Sequence, residues 1–169
     1  RSSDLIKILA DAPETRPALT DVSGEIQDFN ISPCGNRGLV TARGEIFSVP
    51  RKHGASRNIS QNCGARDKDA AWSPDGKNIA YFSDKDGEYQ LYLYNCETHE
   101  TTKLTNFKDG YRHTLRWSPD NEKIAFTDQT LSLYIIDVDS KKITKVDKAE
   151  YEHVDISLDE KPIYDFTWS

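Results

Sequence analysis

Apolar residues occur along this chain in short runs that alternate with polar ones, and nowhere at the three-to-four spacing of an amphipathic helix. Asn78–Ser83, Lys123–Thr127 and Gly38–Arg43 each read as a strand of five or six residues bounded by turn formers. Tyr89-Gln90-Leu91-Tyr92-Leu93-Tyr94 carries apolar or aromatic groups on both faces, as a strand covered on both sides requires. Further strands are predicted at Glu45–Val49, Arg57–Ser60, Thr102–Thr105, Leu131–Asp137 and Ile143–Val146. Near the amino terminus, Leu5–Leu9 has strand character, and Asp11–Pro17 is a Pro-punctuated connector.

The strands recur in a fixed order. Ala71-Trp72-Ser73-Pro74-Asp75-Gly76-Lys77-Asn78-Ile79-Ala80-Tyr81 is echoed by Arg116-Trp117-Ser118-Pro119-Asp120-Asn121-Glu122-Lys123-Ile124-Ala125-Phe126, and more weakly by Asn30-Ile31-Ser32-Pro33-Cys34-Gly35-Asn36. Thr167-Trp168-Ser169 begins another copy. The turn serines fall at 32, 73, 118 and 169, a period of roughly 45 residues. Four short strands at that period define a β-propeller blade. Ser-Pro-Asp-Gly supplies the turn, with Pro fixing one φ and Gly taking a positive one.

The expected fold is therefore all-β: a partial β-propeller of about three four-stranded antiparallel blades plus the first strand of a fourth. Residues 1–25 form an amino-terminal strand and connector. Residues 26–169 form the blades, at about 26–61, 68–106, 112–147 and, for the start of the next, 162–169. Ile31, Trp72, Trp117 and Trp168 occupy one repeat position and are expected to pack between blades. A propeller closes with roughly four to eight blades. Three blades cannot close, so exposed blade faces and self-association are expected.

Composition narrows the partners. The 169 residues carry 22 Lys and Arg against 28 Asp and Glu, a formal net charge of −6. That balance disfavours a phosphate backbone as partner, so no nucleic-acid binding is expected. Mean hydropathy is −0.72. No run approaches the roughly 20 apolar residues of a membrane-crossing helix, so no membrane partner is expected. Three cysteines, Cys34, Cys63 and Cys96, make no disulfide framework. They favour a cytoplasmic location, with the periplasm as the alternative. The chain begins with Arg1 and contains no Met, which reads as a piece of a longer or processed protein.

At this level of detail the residues resemble a known family. Ala42–Pro50, Arg57–Ser60, Trp72–Lys77, Ile79–Asp84, Gly87–Tyr89, Lys123–Asp128 and Lys142–Asp147 are similar to the second β-propeller of tricorn-type peptidases. Asp21–Ser23 and Glu25-Ile26 are similar to that family's entry into the propeller. The Trp-Ser-Pro-Asp-Gly-Lys repeat also resembles TolB-like propellers. The tricorn resemblance implies a seven-bladed propeller inside a self-compartmentalising serine peptidase. It implies catalytic Ser, His and Glu residues in domains beyond a PDZ-like module, and propellers that filter peptides on their way to a chamber. The implied partners are the remaining blades, the catalytic domains and peptides in transit. Two alternatives stay open: a TolB-like module for protein–protein binding, and the propeller cap of an oligopeptidase.

No residue of this chain is expected to be catalytic. His53, His99, His113 and His153 are scattered, and no Gly-x-Ser-x-Gly elbow is present. No cofactor is expected. No metal site is expected either, since neither Cys-x-x-Cys nor His-Glu-x-x-His occurs. Asp84, Asp86 and Glu88 around Gly87 read as a polar hairpin turn, not a calcium loop. Arg51-Lys52-His53 with Arg57 reads as a solvated hairpin tip. Asn30-Ile31-Ser32 and Asn58-Ile59-Ser60 match the glycosylation sequon but fall on predicted strands.

The remaining functional candidates lie on the innermost strands, Gln27–Ile31, Lys68–Trp72, Arg112–Trp117 and Ile163–Trp168, which border the propeller's channel. A period of two puts Phe29, Leu115 and Phe166 on one strand face with Ile31, Trp117 and Trp168. Asp28, Arg116 and Asp165 then fall at the channel rim, where mixed charge would screen peptides. Salt bridging between blades is the plainer role for the same residues.

Overall fold

The computed structural model describes residues 21–62, 64–148 and 166–168. Twelve strands form three four-stranded antiparallel sheets, each a simple meander. The first holds β1 (Ile26–Ile31), β2 (Arg37–Ala42), β3 (Glu45–Pro50) and β4 (Arg57–Asn58). The second holds β5 (Asp67–Trp72), β6 (Asn78–Ser83), β7 (Gln90–Asn95) and β8 (Thr101–Lys103). The third holds β9 (Arg112–Trp117), β10 (Lys123–Asp128), β11 (Ser132–Asp137) and β12 (Ile143–Lys148). The sheets stack as propeller blades, with β5 between β1 and β9. The expected strand Leu5–Leu9 lies outside the described residues. Of the expected strand Ile163–Trp168, only 166–168 are described, and these are not in a strand. They have no ladder partner among the described residues, and a strand needs one.

Turn chemistry recurs in each blade. Ser73 Oγ donates to Asp75 Oδ1 at 2.6 Å and accepts the Asn78 N–H at 2.9 Å, while the Lys77 N–H reaches Asp75 Oδ1 at 3.0 Å. Ser118 repeats this, pairing with Asp120 and accepting the Lys123 N–H at 2.9 Å. The Pro and Gly set the dihedrals, but the buried Ser hydroxyl closes the loop and the Asp orients it. In the first blade Cys34 stands at the Asp position, and Ser32 Oγ lies 3.5 Å from its sulfur. That blade keeps the serine bond to the Arg37 N–H (3.0 Å) without the carboxylate.

Period two divides the second blade between two cores. Ile79, Tyr81, Tyr92 and Tyr94 face the first blade, against Leu39, Ile46 and Ile59. Ala80, Phe82, Leu91 and Leu104 face the third, against Leu115, Trp117, Ile124, Phe126 and Ile136. Phe82 meets Phe126 edge-on at 5.9 Å, and Phe126 in turn stacks on Tyr134 at 5.6 Å. Both faces of β6 are buried, which explains why its central residues Ile79–Phe82 are all apolar or aromatic.

The repeat position expected to pack between blades has four fates. Trp117 is buried, and its Nε1 donates to the Ala71 carbonyl of the previous blade at 3.2 Å. Trp72 is half-buried; its Nε1 has no hydrogen-bond partner among the described residues, and its backbone N–H donates to the Asn30 side-chain oxygen at 3.3 Å. Trp168 is half-buried, its Nε1 also without a partner among the described residues. Ile31 does not pack between blades: it is 66% exposed, as its face has no preceding blade among the described residues. Phe29, expected on the same strand face, is likewise exposed, as is Ile26 at the start of β1. Trp117→Phe is expected to cost about 1 kcal/mol more than Trp72→Phe in urea unfolding, since only Trp117 loses an indole hydrogen bond. Equal losses would refute the inter-blade staple.

Candidate functional site

The inner strands β1, β5 and β9 converge on a cleft of about 230 Å³, lined by residues from all three blades. Its polar lining is Asp28, Asn30, Asp69 and Thr114. The strands reach it through β-bulges. In β5, Asp69 and Ala70 together stand opposite Tyr81, since Lys68 pairs with Phe82 and Ala71 with Ala80. In β9, Thr114 and Leu115 stand opposite Phe126. The bulge residues Asp69 and Thr114 both take φ of 52°, a left-handed conformation. In β1 the register shifts one residue earlier, between Ile26 and Asp28.

The bulges change which residues share a position. Asp28, Asp69 and Thr114 each precede the turn serine by four residues, and the structure brings all three to the cleft. Arg116 is two residues further on, equivalent to Asn30 and Ala71, and does not line the cleft. Its guanidinium lies 5.6 Å from the Phe166 ring centroid. Asp165 lies outside the described residues. Asp28 therefore shares the cleft with Asp69, and Arg116 lies outside its lining. Strict period two misses a bulge because the extra residue leaves no mark on the hydrophobic pattern.

Electrostatics around β5 are dominated by burial. Asp69 Oδ2 lies 4.0 Å from Lys68 Nζ, and that ammonium sits 4.4 Å from the centroid of the Tyr89 ring. Asp67, at the start of β5, is fully buried, and neither carboxylate oxygen receives a hydrogen bond of ordinary geometry. Burial raises its pKa, against the opposing influence of the Ser83 and Ser60 hydroxyls. Tyr81 Oη, in the same blade junction, is buried without a partner, and burial pushes its pKa up to about 12. Sequence alone offered no sign of Asp67, because a charged residue at a strand start ordinarily reads as exposed.

The remaining sequence candidates are dispersed. Asp84 Oδ1 accepts the Arg66 N–H at 2.7 Å, while Asp86 Oδ2 accepts from Lys103 Nζ at 2.6 Å and from Tyr92 Oη at 2.7 Å. The Asp84–Glu88 turn therefore spends two of its carboxylates on different partners. Among the described residues no three His, Cys, Asp or Glu side chains gather as a metal site. Cys34 and Cys96 are unpaired thiols. His113 stacks on Tyr111 at 6.5 Å, and His99 sits at the outer rim against Tyr94. His153 lies outside the described residues.

Residues 26–169 match the family described as Tricorn protease second beta propeller domain. Over 81 residues the chain is 41% identical to the "Uncharacterized peptidase YuxL" of Bacillus subtilis (strain 168), covering 47% of this chain and 11% of that protein. The crystal structure of the tricorn protease superposes with a TM-score of 0.56 at 15% identity, over 66% of this chain and 13% of that one. TolB from Acinetobacter baumannii superposes with a TM-score of 0.60 at 24% identity, over 72% of this chain and 32% of that one. These superpositions establish the propeller fold. The chain spans between about a tenth and a third of the length of these three proteins.

The raised carboxyl of Asp67 fixes a sign. The folded state holds this proton more tightly than the unfolded chain, so the stability it contributes is present below pH 3.8 and is lost as pH rises through the folded value. Asp67→Asn removes that loss. The stability difference between the variant and the parent is expected to grow in the variant's favour from about pH 4 upward, read by urea unfolding across pH. A difference independent of pH would contradict the burial of a charged Asp67.

Proposed function

Because the chain belongs to the tricorn protease second β-propeller family, we propose that it acts as a non-catalytic part of a tricorn-like peptidase, scaffolding and filtering peptide passage to a catalytic chamber. The observation that carries this reading is the cleft where β1, β5 and β9 meet, lined at equivalent positions by Asp28, Asp69 and Thr114. In a closed propeller the innermost strands surround the central channel, so the side chains at this equivalent position, two of them re-aimed by the bulges of β5 and β9, form part of its wall. Two carboxylates there favour cationic peptides over anionic ones, through the field they set in a narrow passage.

On this reading the partners are the remaining blades and catalytic domains of the same protein, and peptides in transit. The chemistry belongs to those other domains, and the location is the cytoplasm. The exposed Ile26, Phe29 and Ile31 fit a face that another blade covers, or that drives the isolated chain to self-associate.

The test uses a full-length peptidase that contains this propeller. Asp28→Asn combined with Asp69→Asn is expected to lower turnover of cationic relative to anionic long peptides several-fold. Cleavage of a small uncharged fluorogenic substrate should stay within about twofold, since steering acts on charge. Arg116→Ala, outside the cleft, is expected to leave the ratio alone. An unchanged charge ratio in the double variant would overturn the filtering role.

A further inference from the structure

The outer rim of the molecule contains an internal control. The junction between the second and third blades is apolar and tied at its edge, with Ile136 on β11 paired to Ile143 on β12. In the turn joining those strands, Lys141 takes φ of 57° and reaches back across the junction, Nζ donating to the Lys103 carbonyl at 3.0 Å. The junction between the first and second blades has different residues at the same places. Tyr94 and Thr101 replace the isoleucine pair, and His99 (φ 61°) replaces Lys141.

His99 makes no tie to the first blade's backbone. The Asn58 carbonyl, the counterpart of Lys103, accepts from Gln61 Nε2 of its own loop at 3.3 Å. His99 instead stacks on Tyr94, with Nδ1 2.8 Å from Tyr94 Oη and Nε2 3.4 Å from Arg57 Nη1. The two blades leave a cleft of about 410 Å³, to which Arg57, Asn58, Ser60, Tyr94, His99 and Thr101 contribute.

The hydrogen-bond directions make this cleft a donor site. Arg57 can only donate, so His99 Nε2 accepts and Nδ1–H donates to Tyr94 Oη. The Tyr94 hydroxyl proton is then directed away from His99. Arg57 keeps its other N–H groups, and the exposed residue Thr101 adds a hydroxyl that also lies against Tyr81. Arg57 is the one formally charged lining residue, and the nearby Glu45 carboxylate accepts from Asn58 Nδ2 at 3.1 Å. A planar guanidinium flanked by hydroxyl donors matches a carboxylate. On both sides of the cleft the strands are short and end their sheets: β4 has two residues and β8 three. Such edges offer backbone groups to an added extended segment.

We infer that the rim cleft between the first two blades binds a carboxylate of an extended peptide, held by Arg57 with Tyr94 and Thr101. This site is separate from the channel-facing cleft and does not rest on the passage reading.

The experiment titrates the ¹⁵N-labelled chain with four probes: acetyl-pentaalanine with a free carboxyl terminus, its carboxamide twin, the carboxamide peptide acetyl-Ala-Ala-Glu-Ala-Ala, and inorganic phosphate. At least one carboxylate peptide is expected to shift the amides of Arg57, His99 and Thr101 saturably, and the one that does identifies a chain terminus or an acidic side chain as the source. The alanine carboxamide is expected to shift none of them. Arg57→Gln, at an exposed position, should weaken the response about tenfold or more while leaving the spectrum dispersed. The triple change Tyr94→Ile, His99→Lys and Thr101→Ile, which installs the third blade's pattern, should abolish it. Three results would each overturn the proposal: no saturable shift with either carboxylate peptide, an equal response to the alanine carboxamide, or an unchanged affinity in Arg57→Gln. Saturation by phosphate alone would show an anion site of another kind, and would overturn it too.

Discussion

The structure depends on one constraint: a sheet with two apolar faces is stable only when something covers each of them. The second blade meets it within this chain. Ile79 and Tyr81 turn one way, Ala80 and Phe82 the other, and all four are fully buried. The first blade has one covered face, and its inner strand leaves Phe29 and Ile31 largely in solvent. The third blade's outer strand β12 is exposed along its whole length. Position in the stack, and not local sequence, decides whether the same repeat site becomes Trp117 in a core or Ile31 on a surface.

That constraint made much of the fold legible from the residues. Strands buried on both faces, such as Asn78–Ser83, carry an unbroken apolar centre, Ile79–Phe82. The Ser-Pro-Asp turns punctuate them at a fixed period. Two things were not legible. The first is the bulge, since a residue such as Asp69 or Thr114 adopts a positive φ that neither residue type announces. Counting by twos therefore does not bring out that Asp28 shares the cleft with Asp69, with Arg116 outside its lining. The second is the depth of Asp67, whose charge argues for the surface while its neighbours enclose it.

The polar residues of the two clefts lie where the packing constraint relaxes. At the inner ends of the blades Asp28, Asp69 and Thr114 line the cleft, the last two turned there by bulges. At the outer rim, Tyr94, His99 and Thr101 stand where the next blade has isoleucines and a lysine tie. Between these two margins aliphatic and aromatic side chains make two packed clusters, with Asp67 and the Tyr81 hydroxyl buried among the polar groups there.

Native-state hydrogen exchange on the full chain tests the central claim most directly, because protection follows burial and cooperative packing. The amides of β6 and β7 in the second blade are expected to exchange most slowly, through the largest opening free energy in the molecule. Those of β1 and β12 should exchange fastest among the strands. Protection spread evenly over the three blades, or highest in β1, would contradict an architecture held by the two-sided burial of its middle sheet.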